Sequence, residues 1–282
     1  MSGVIAFRKT SPGGEATRHA RRANRKKISF SRIVFLGTII FLFLPLLVLV
    51  LYSFNESKGM GWTRFSLVWY EKLFLNSSDL WHAFENSVII ALSSAATATV
   101  IGTLGAIGVN WYKFRLRQYV QAITFLPMIL PEIIIGVSLL VFFAGIKLKL
   151  GLVTIYIAHT TFNLPFVFLM VMARLDEFDY SIIEAAHDLG ASEHQTLLRV
   201  IVPMSMPGIV SGFLTAVTLS LEDFVITFFV SGPGSTTLPL YVYSAIRFGV
   251  SPIINALSVV MIFGTVILTY SLRNFLKYIA AK

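Results

Sequence analysis

The sequence predicts an all-α integral membrane protein with six transmembrane helices and a cytoplasmic two-helix loop between helices 4 and 5. Three observations predict it. Charged residues make up 13% of the 282 residues, while 56% are hydrophobic; an ordinary soluble domain carries about 25% charged residues. Six segments, roughly 33–52, 87–109, 119–144, 151–173, 207–230 and 253–275, each approach the ~20 mainly apolar residues that cross a bilayer core. One polar run, residues 174–206, interrupts the apolar second half.

The basic balance is local. Nine Lys/Arg and one acid, Glu15, fall in residues 1–32, a charge of +8, and the remaining 250 residues carry +1. "RHARRANRKK" reads as a cytoplasmic anchor that fixes orientation and meets anionic lipid, not as a nucleic-acid arm. It lacks the cleavage site and short apolar core of a secretory signal. The domains are then a basic tail (1–32), a membrane domain (33–275) and a cytoplasmic C-terminus (276–282). The chain has no cysteine, which excludes disulfides and thiolate metal sites.

The first span, "IVFLGTIIFLFLPLLVLVLY", is uniformly apolar. The amphipathic segment after it, "WYEKLFLNSSDLWHAF", is expected to lie along the membrane interface. The second span carries Gly102, Gly105 and Gly108, a spacing that lets another helix approach closely. No strand precedes these glycines, so they are not a dinucleotide fingerprint. Pro127, Pro131 and Gly136 predict a kinked third span. Counted by loop with the N-terminus inside, inner segments hold 17 Lys/Arg and outer segments 6. Both termini are therefore expected in the cytoplasm, with Lys147 and Lys149 a mild dissent.

In the loop 174–206, Ser181 stands three residues before Glu184, the spacing of a capping box. The first helix is expected to run to about Leu189 and to end on Gly190 in a left-handed conformation. Ser192 and Gln195 repeat the box and start a second helix reaching about Val202, where Pro203 and Pro207 are expected to stop it. Ala185 and Ala186 leave room for a partner surface.

"EAAHDLG", nine residues and "VIVP" resemble the cytoplasmic signature of ABC-importer permeases. Glu184, Ala185, Ala186, Gly190 and Pro203 match it; Val200 and Val202 replace the usual Ile and Leu. "YSFNES", "FSLVWYEKLF", "AHTTFNLPFV" and the long stretch from Leu219 to Leu257 are most similar to the second permease of spermidine/putrescine importers. The resemblance covers about residues 30–275. It implies a bacterial inner-membrane permease paired with a second permease, two ATP-binding subunits docked on the cytoplasmic loop and an external solute-binding protein. No G-x-x-x-x-G-K-[ST] loop occurs in the sequence, so ATP hydrolysis is expected on a separate chain and no cofactor is implied here. The coupling motif is shared with importers of iron(III), thiamine or organophosphonates, and it does not choose among solutes.

The acids do. Glu132, Glu222 and Asp223 fall inside predicted spans, where an ionised acid costs about 2.5–3.5 kcal/mol and usually faces a cavity. At ~1.5 Å per residue, Glu132 and Glu222 rise ~20 and ~22 Å from the inner face, both in the outer half of the core. Ser211, Thr215, Thr218 and Glu222 share one helix face that would line a path. Acids beside Phe224, Phe228 and Phe229 suit a polyamine, a string of ammonium groups on methylenes. The other role for these acids is to cap broken helices or pair within a permease dimer. His159 has no second ligand on its helix and reads as a hydrogen-bonded packing residue. An intramembrane enzyme would need H-E-x-x-H, a cysteine, or a serine at the depth of a histidine; the sequence offers the first two nowhere and no evident case of the third. A stand-alone channel leaves the cytoplasmic loop without a purpose.

Overall fold

The computed structural model describes residues 13–58, 61–112, 114–247 and 252–280, with side chains described from Phe30 to Tyr270 in part. The first residues of the basic tail, Lys113 and Lys282 lie outside the described residues. The order is α1 (Gly13–Ser53), α2 (Val68–Leu75), α3 (Ser78–Trp111), α4 (Arg117–Ile129), α5 (Glu132–Gly145), α6 (Leu152–Asp176), α7 (Ser181–Asp188), α8 (Glu193–Thr196), a π turn (Leu197–Ile201), α9 (Val202–Glu222), α10 (Val225–Val230), α11 (Leu238–Arg247) and α12 (Pro252–Ala280). Among the described residues, the only β pairing is an isolated bridge between Asn55 and Phe65.

Among the described residues, four helical stretches are long and apolar enough to cross a membrane: Phe30–Ser53, α3, α6 and the continuous rod Glu193–Glu222. The pair α4–α5 makes a fifth if counted as one span, and Pro252–Ile267 of α12 is a shorter apolar stretch.

Three expectations are corrected. The third span is not one kinked helix: α4 and α5 meet at 107°. Pro131 supplies no N–H and forces Leu130 into an extended conformation, ψ 140°, so the helix cannot continue. Pro203 and Pro207 do not stop the helix after Ser192; both lie within α9. The π turn accounts for this. The N–H of Val202 bonds the carbonyl of Leu197, five residues back, and the wider turn takes in the ring of Pro203 without ending the helix. The fifth span breaks instead at Asp223 and Phe224.

The core is a three-helix seam of α3, α6 and α9, with α10 and α5 packed above it. Its closeness follows from small residues. A Cβ at Gly102 would stand 3.0 Å from the Cβ of Val167, and one at Gly212 would stand 3.2 Å from the Cα of Val167. Val167 is thus wedged between α3 and α9. Gly105 meets Phe168 at 3.6 Å, but Gly108 faces open space, so the three-residue spacing overcounts the contact face by one. Gly102→Leu is expected to cost about 1–3 kcal/mol by overpacking, read as a lower Tm in detergent. Gly108→Leu serves as the neutral control.

The outer segment is more than an interfacial strap. Trp69 and Leu73 of α2 are buried with Leu80, Ala256 and Leu257, and the Trp69 indole N–H donates to the carbonyl of Asn55 at 2.8 Å. Asn55 in turn holds the loop closed, accepting from the Thr63 N–H and donating to the Gly61 carbonyl. Helix α3 begins nine residues before the expected start of the second span.

Candidate functional site

The three intramembrane acids gather at two helix breaks. Glu132 is the first residue of α5 and Glu222 the last of α9; Asp223 follows in an extended conformation. Helix α5 packs on α10. Gly136 makes this possible: a Cβ there would come within 2.7 Å of the Phe229 ring, so α5 lies directly on α10, with Glu132 opening α5 one turn earlier.

The acids differ in what surrounds them. Glu132 and Glu222 are exposed on the chain, whereas Asp223 is buried. Asp223 Oδ1 accepts the Ile226 N–H at 3.2 Å, and Oδ2 accepts both the N–H and the O–H of Thr227 at 2.8 Å. It caps α10 from the front and satisfies N–H groups that a break inside a membrane leaves without water. His159 Nε2 lies 3.1 Å from the same oxygen. The carboxylate has its full set of protein partners, so its geometry is that of a cap.

Glu222 has the opposite setting. It sits at the negative end of the α9 dipole, where an acid is unfavourable. Among the described residues, no backbone N–H from outside α9 closes on its last turn. The carboxylate and the uncapped carbonyls together attract a cation; ends of discontinuous helices are used in this way in transporters. Phe224, Phe228 and Tyr243 cluster just after the break, with ring centroids 4.4 Å (Phe224–Tyr243), 5.7 Å (Phe224–Phe228) and 6.4 Å (Phe228–Tyr243) apart. Tyr243 comes from α11, beyond the reach of local sequence spacing.

On α9, Ser211, Thr218 and Glu222 are exposed and Thr215 is half-buried, while Gly212, Ala216 and Ser220 on the other face are buried. The polar stripe therefore points away from the chain's own core.

His159 is buried and hydrogen-bonded, as its sequence context predicts, but its partners contradict one expectation. A serine does lie at its depth: Ser220 Oγ is 2.6 Å from His159 Nδ1. His159 is 15 residues above Arg174, and Ser220 is 13 above Pro207. The depth count applied to the acids finds this pair when applied to histidine.

The loop 174–206 is built around two short helices that meet at Gly190. Gly190 has φ +83°, its N–H bonds the carbonyl of His187 at 2.8 Å, and the Ala191 N–H bonds that of Ala186 at 3.0 Å. Gly190→Val is expected to cost about 1–2 kcal/mol through the left-handed backbone, measured as faster amide exchange across residues 181–191. Ser192 and Gln195 form a reciprocal box, with Ser192 N–H on Gln195 Oε1 at 3.0 Å. Ser181 does not cap α7; it is the first helical residue, and Asp179 Oδ1 accepts its N–H at 3.0 Å. That bond holds the Asp179 carboxyl below the usual carboxylate range. Residues Ser181, Glu184 and Ala185 are exposed, Ala186 is half-buried and Pro203 is exposed within α9.

Of the apolar face of α7, Ile183 packs on the core while Ile182 and Leu189 remain exposed, Leu189 at 89%. The loop is moored to the membrane domain at two points. Tyr180 O–H donates to Asn110, which donates to Asp176, and Arg174 donates to the Met204 carbonyl. A cavity of about 630 Å³ opens beside α7, walled by Trp111, Arg117, Asp176, Phe178 and Glu184.

Comparison with known proteins follows this geometry. Residues 98–282 match the model of the family described as binding-protein-dependent transport system inner membrane component. The chain is 43% identical over 223 residues to the spermidine/putrescine transport system permease protein PotC of Haemophilus influenzae, covering 79% of this chain and 86% of the relative. It is 40% identical over 238 residues to the putrescine transport system permease protein PotI of Escherichia coli, covering 82% and 84%. Among solved structures, a subunit of a bacterial ABC transporter that imports the acidic polysaccharide alginate superposes with a TM-score of 0.69 at 16% identity, over 89% of this chain and 97% of that one. The inward-facing methionine transporter MetNI gives 0.58 at 19% identity, over 74% and 98%. These two likenesses concern the fold. The apolar spans, the helix–glycine–helix loop and the matches to family and relatives agree: the chain belongs to the binding-protein-dependent transport system inner membrane components, multi-pass proteins of the bacterial inner membrane.

Proposed function

We propose that this chain is a permease subunit of an ATP-driven importer for a polyamine such as spermidine or putrescine. The observation that carries the reading is Glu222. An exposed carboxylate at the negative end of a broken helix, with a second acid and an aromatic wall beside it, is unfavourable when empty and favourable with an ammonium group bound. Two ammonium-bearing ends joined by methylenes match two exposed acids and apolar walls. The relatives named for spermidine and putrescine transport support the same substrate class.

In this reading α12 is the sixth span and both termini are cytoplasmic. The face bearing Ser211, Thr215, Thr218 and Glu222 meets a second permease across the path, because lipid is a poor neighbour for a polar stripe. Residues 174–206 dock on an ATP-binding subunit through Ser181, Glu184, Ala185, Ala186, Gly190 and Pro203. Two such subunits and an external solute-binding protein complete the complex. The rod Glu193–Glu222 supports a simple lever: the second helix of the docking loop and the helix ending at Glu222 are one piece. Alternating access then moves the acid when the loop moves.

The test is uptake of radiolabelled putrescine and spermidine in cells with and without this chain, with amines and metal ions as competitors. Loss of polyamine uptake without the chain, blocked by amines and not by iron(III), is the expected result. Unchanged polyamine uptake overturns the reading.

A further inference from the structure

His159 belongs to none of the roles above, yet its side chain bonds residues of α9, of the break and of α10. It is 2% exposed. Its ring touches Ser220 on α9 (2.6 Å), Asp223 at the break (3.1 Å) and Thr227 on α10 (2.9 Å). Donors and acceptors run in one direction. The Thr227 O–H is committed to Asp223 Oδ2, so Nε2 must carry the proton it shares between Thr227 and the carboxylate. In the tautomer with its proton on Nε2, Nδ1 accepts from the Ser220 O–H. Ser220 in turn accepts from the Ser94 O–H of α3 at 3.4 Å. A chain Ser94, Ser220, His159, Asp223 crosses the seam and ends at the cap of α10.

The second observation is where the seam begins. At the cytoplasmic end a Cβ on Gly208 would lie 2.8 Å from the Cβ of Arg174 and 2.9 Å from the carbonyl of Met170. Gly212 on Val167 comes next, then Ser220 on His159. From Arg174 to His159, α6 and α9 are in backbone-range contact, with little room to slide. Arg174 also bonds Met204, next to the π turn. The two helices that flank the cytoplasmic loop thus form one unit, and His159 bonds α6 both to the last turns of α9 and to the break that follows.

We propose that His159 is a positioning residue for transport. It fastens the outer end of the α6–α9 unit to the break at Asp223, so that displacement of the loop 174–206 reaches Glu222 through this node. The proposal rests on the reading of the chain as a permease driven through that loop. His159 touches no cation; it acts through Asp223, which fixes where α9 ends and α10 begins. A purely structural histidine would stabilise the fold without affecting how much solute crosses per ATP.

The experiment uses the whole complex, with the second permease, the ATP-binding subunits and the binding protein, reconstituted in liposomes. Assembled complex, ATP hydrolysis stimulated by putrescine-loaded binding protein, and labelled putrescine uptake are measured together. His159→Leu is expected to assemble and hydrolyse ATP within about twofold of the parent while uptake per ATP falls about tenfold, the middle of the usual range of coupling energies. His159→Gln, which keeps one donor and one acceptor, is expected to recover uptake per ATP to within about threefold. If the leucine variant fails to assemble, Ser220→Ala removes only the α9 link and is expected to lower the ratio about threefold. The proposal is overturned if uptake per ATP equals the parent in whichever of these two variants assembles, or if hydrolysis and uptake fall in proportion. Glu222→Gln is run alongside. Unchanged uptake there with a lowered ratio in His159→Leu defeats the cation site and keeps the node; the reverse pattern defeats the node and keeps the cation site.

Discussion

Glu222→Gln is expected to lower polyamine uptake about 10–100-fold, since a hydrogen bond to a charged group contributes about 1.5–3 kcal/mol and each 1.4 kcal/mol is tenfold. The substitution keeps the shape and one acceptor and removes the charge. Its effect on the empty protein should have the opposite sign. An acid at the last residue of α9 opposes the helix dipole, so neutralising it should stabilise the empty chain by about 0.3–1 kcal/mol. Lower uptake with an equal or higher Tm is the signature of a residue kept for its ligand. Glu132→Gln should show the uptake loss without the gain in stability, because Glu132 opens α5 and there the dipole favours an acid. Uptake assays and thermal unfolding of the purified complex decide both. If Glu222→Gln transports normally, the end of α9 is not where the cation rests.

How far the sequence carried this site can be read from the same residues. Depth counting finds His159 beside Ser220, whose atoms meet at 2.6 Å, because helix rise is a local constant that survives packing. Gly190 and the Ser192–Gln195 box were legible for a related reason: left-handed backbone and end-capping are determined within a few residues. The breaks were not. Pro131 announces a bend, but its size, 107°, is set by α5 packing on α10 through Gly136 and Phe229. Nothing local ends a helix at Asp223, and on an unbroken helix Glu222 and Asp223 look like equivalent acids about 100° apart. What separates a cap from a ligand is the break itself, which turns the Ile226 and Thr227 N–H groups onto Asp223, together with His159 arriving from 64 residues away in sequence. Prolines misled in the other direction, since the π turn that accommodates Pro203 has no sequence signal of its own.

Asp223→Leu is expected to fail differently from Glu222→Gln, by losing protein rather than transport. The leucine would leave the N–H groups of Ile226 and Thr227 and the Nε2–H of His159 without the carboxylate that now receives them. An unsatisfied buried donor costs about 1–3 kcal/mol, and no water is at hand in the hydrocarbon core to replace the partner. Two orphaned backbone donors alone come to about 2–6 kcal/mol, comparable with the whole stability margin of many proteins. Assembled complex in the membrane should therefore fall severalfold, measured by quantitative co-purification with the second permease. Asp223→Asn is the discriminating partner. Its side-chain oxygen still accepts one backbone N–H, so the cap survives in part, and what complex does assemble should keep measurable polyamine uptake, lowered per ATP no further than in His159→Leu, because both variants weaken the same contact. A carboxylate that bound the polyamine directly would behave in reverse, with normal assembly of Asp223→Asn and loss of uptake. The two outcomes place the cation on Glu222 or on Asp223, one residue apart in sequence and on opposite sides of a helix break.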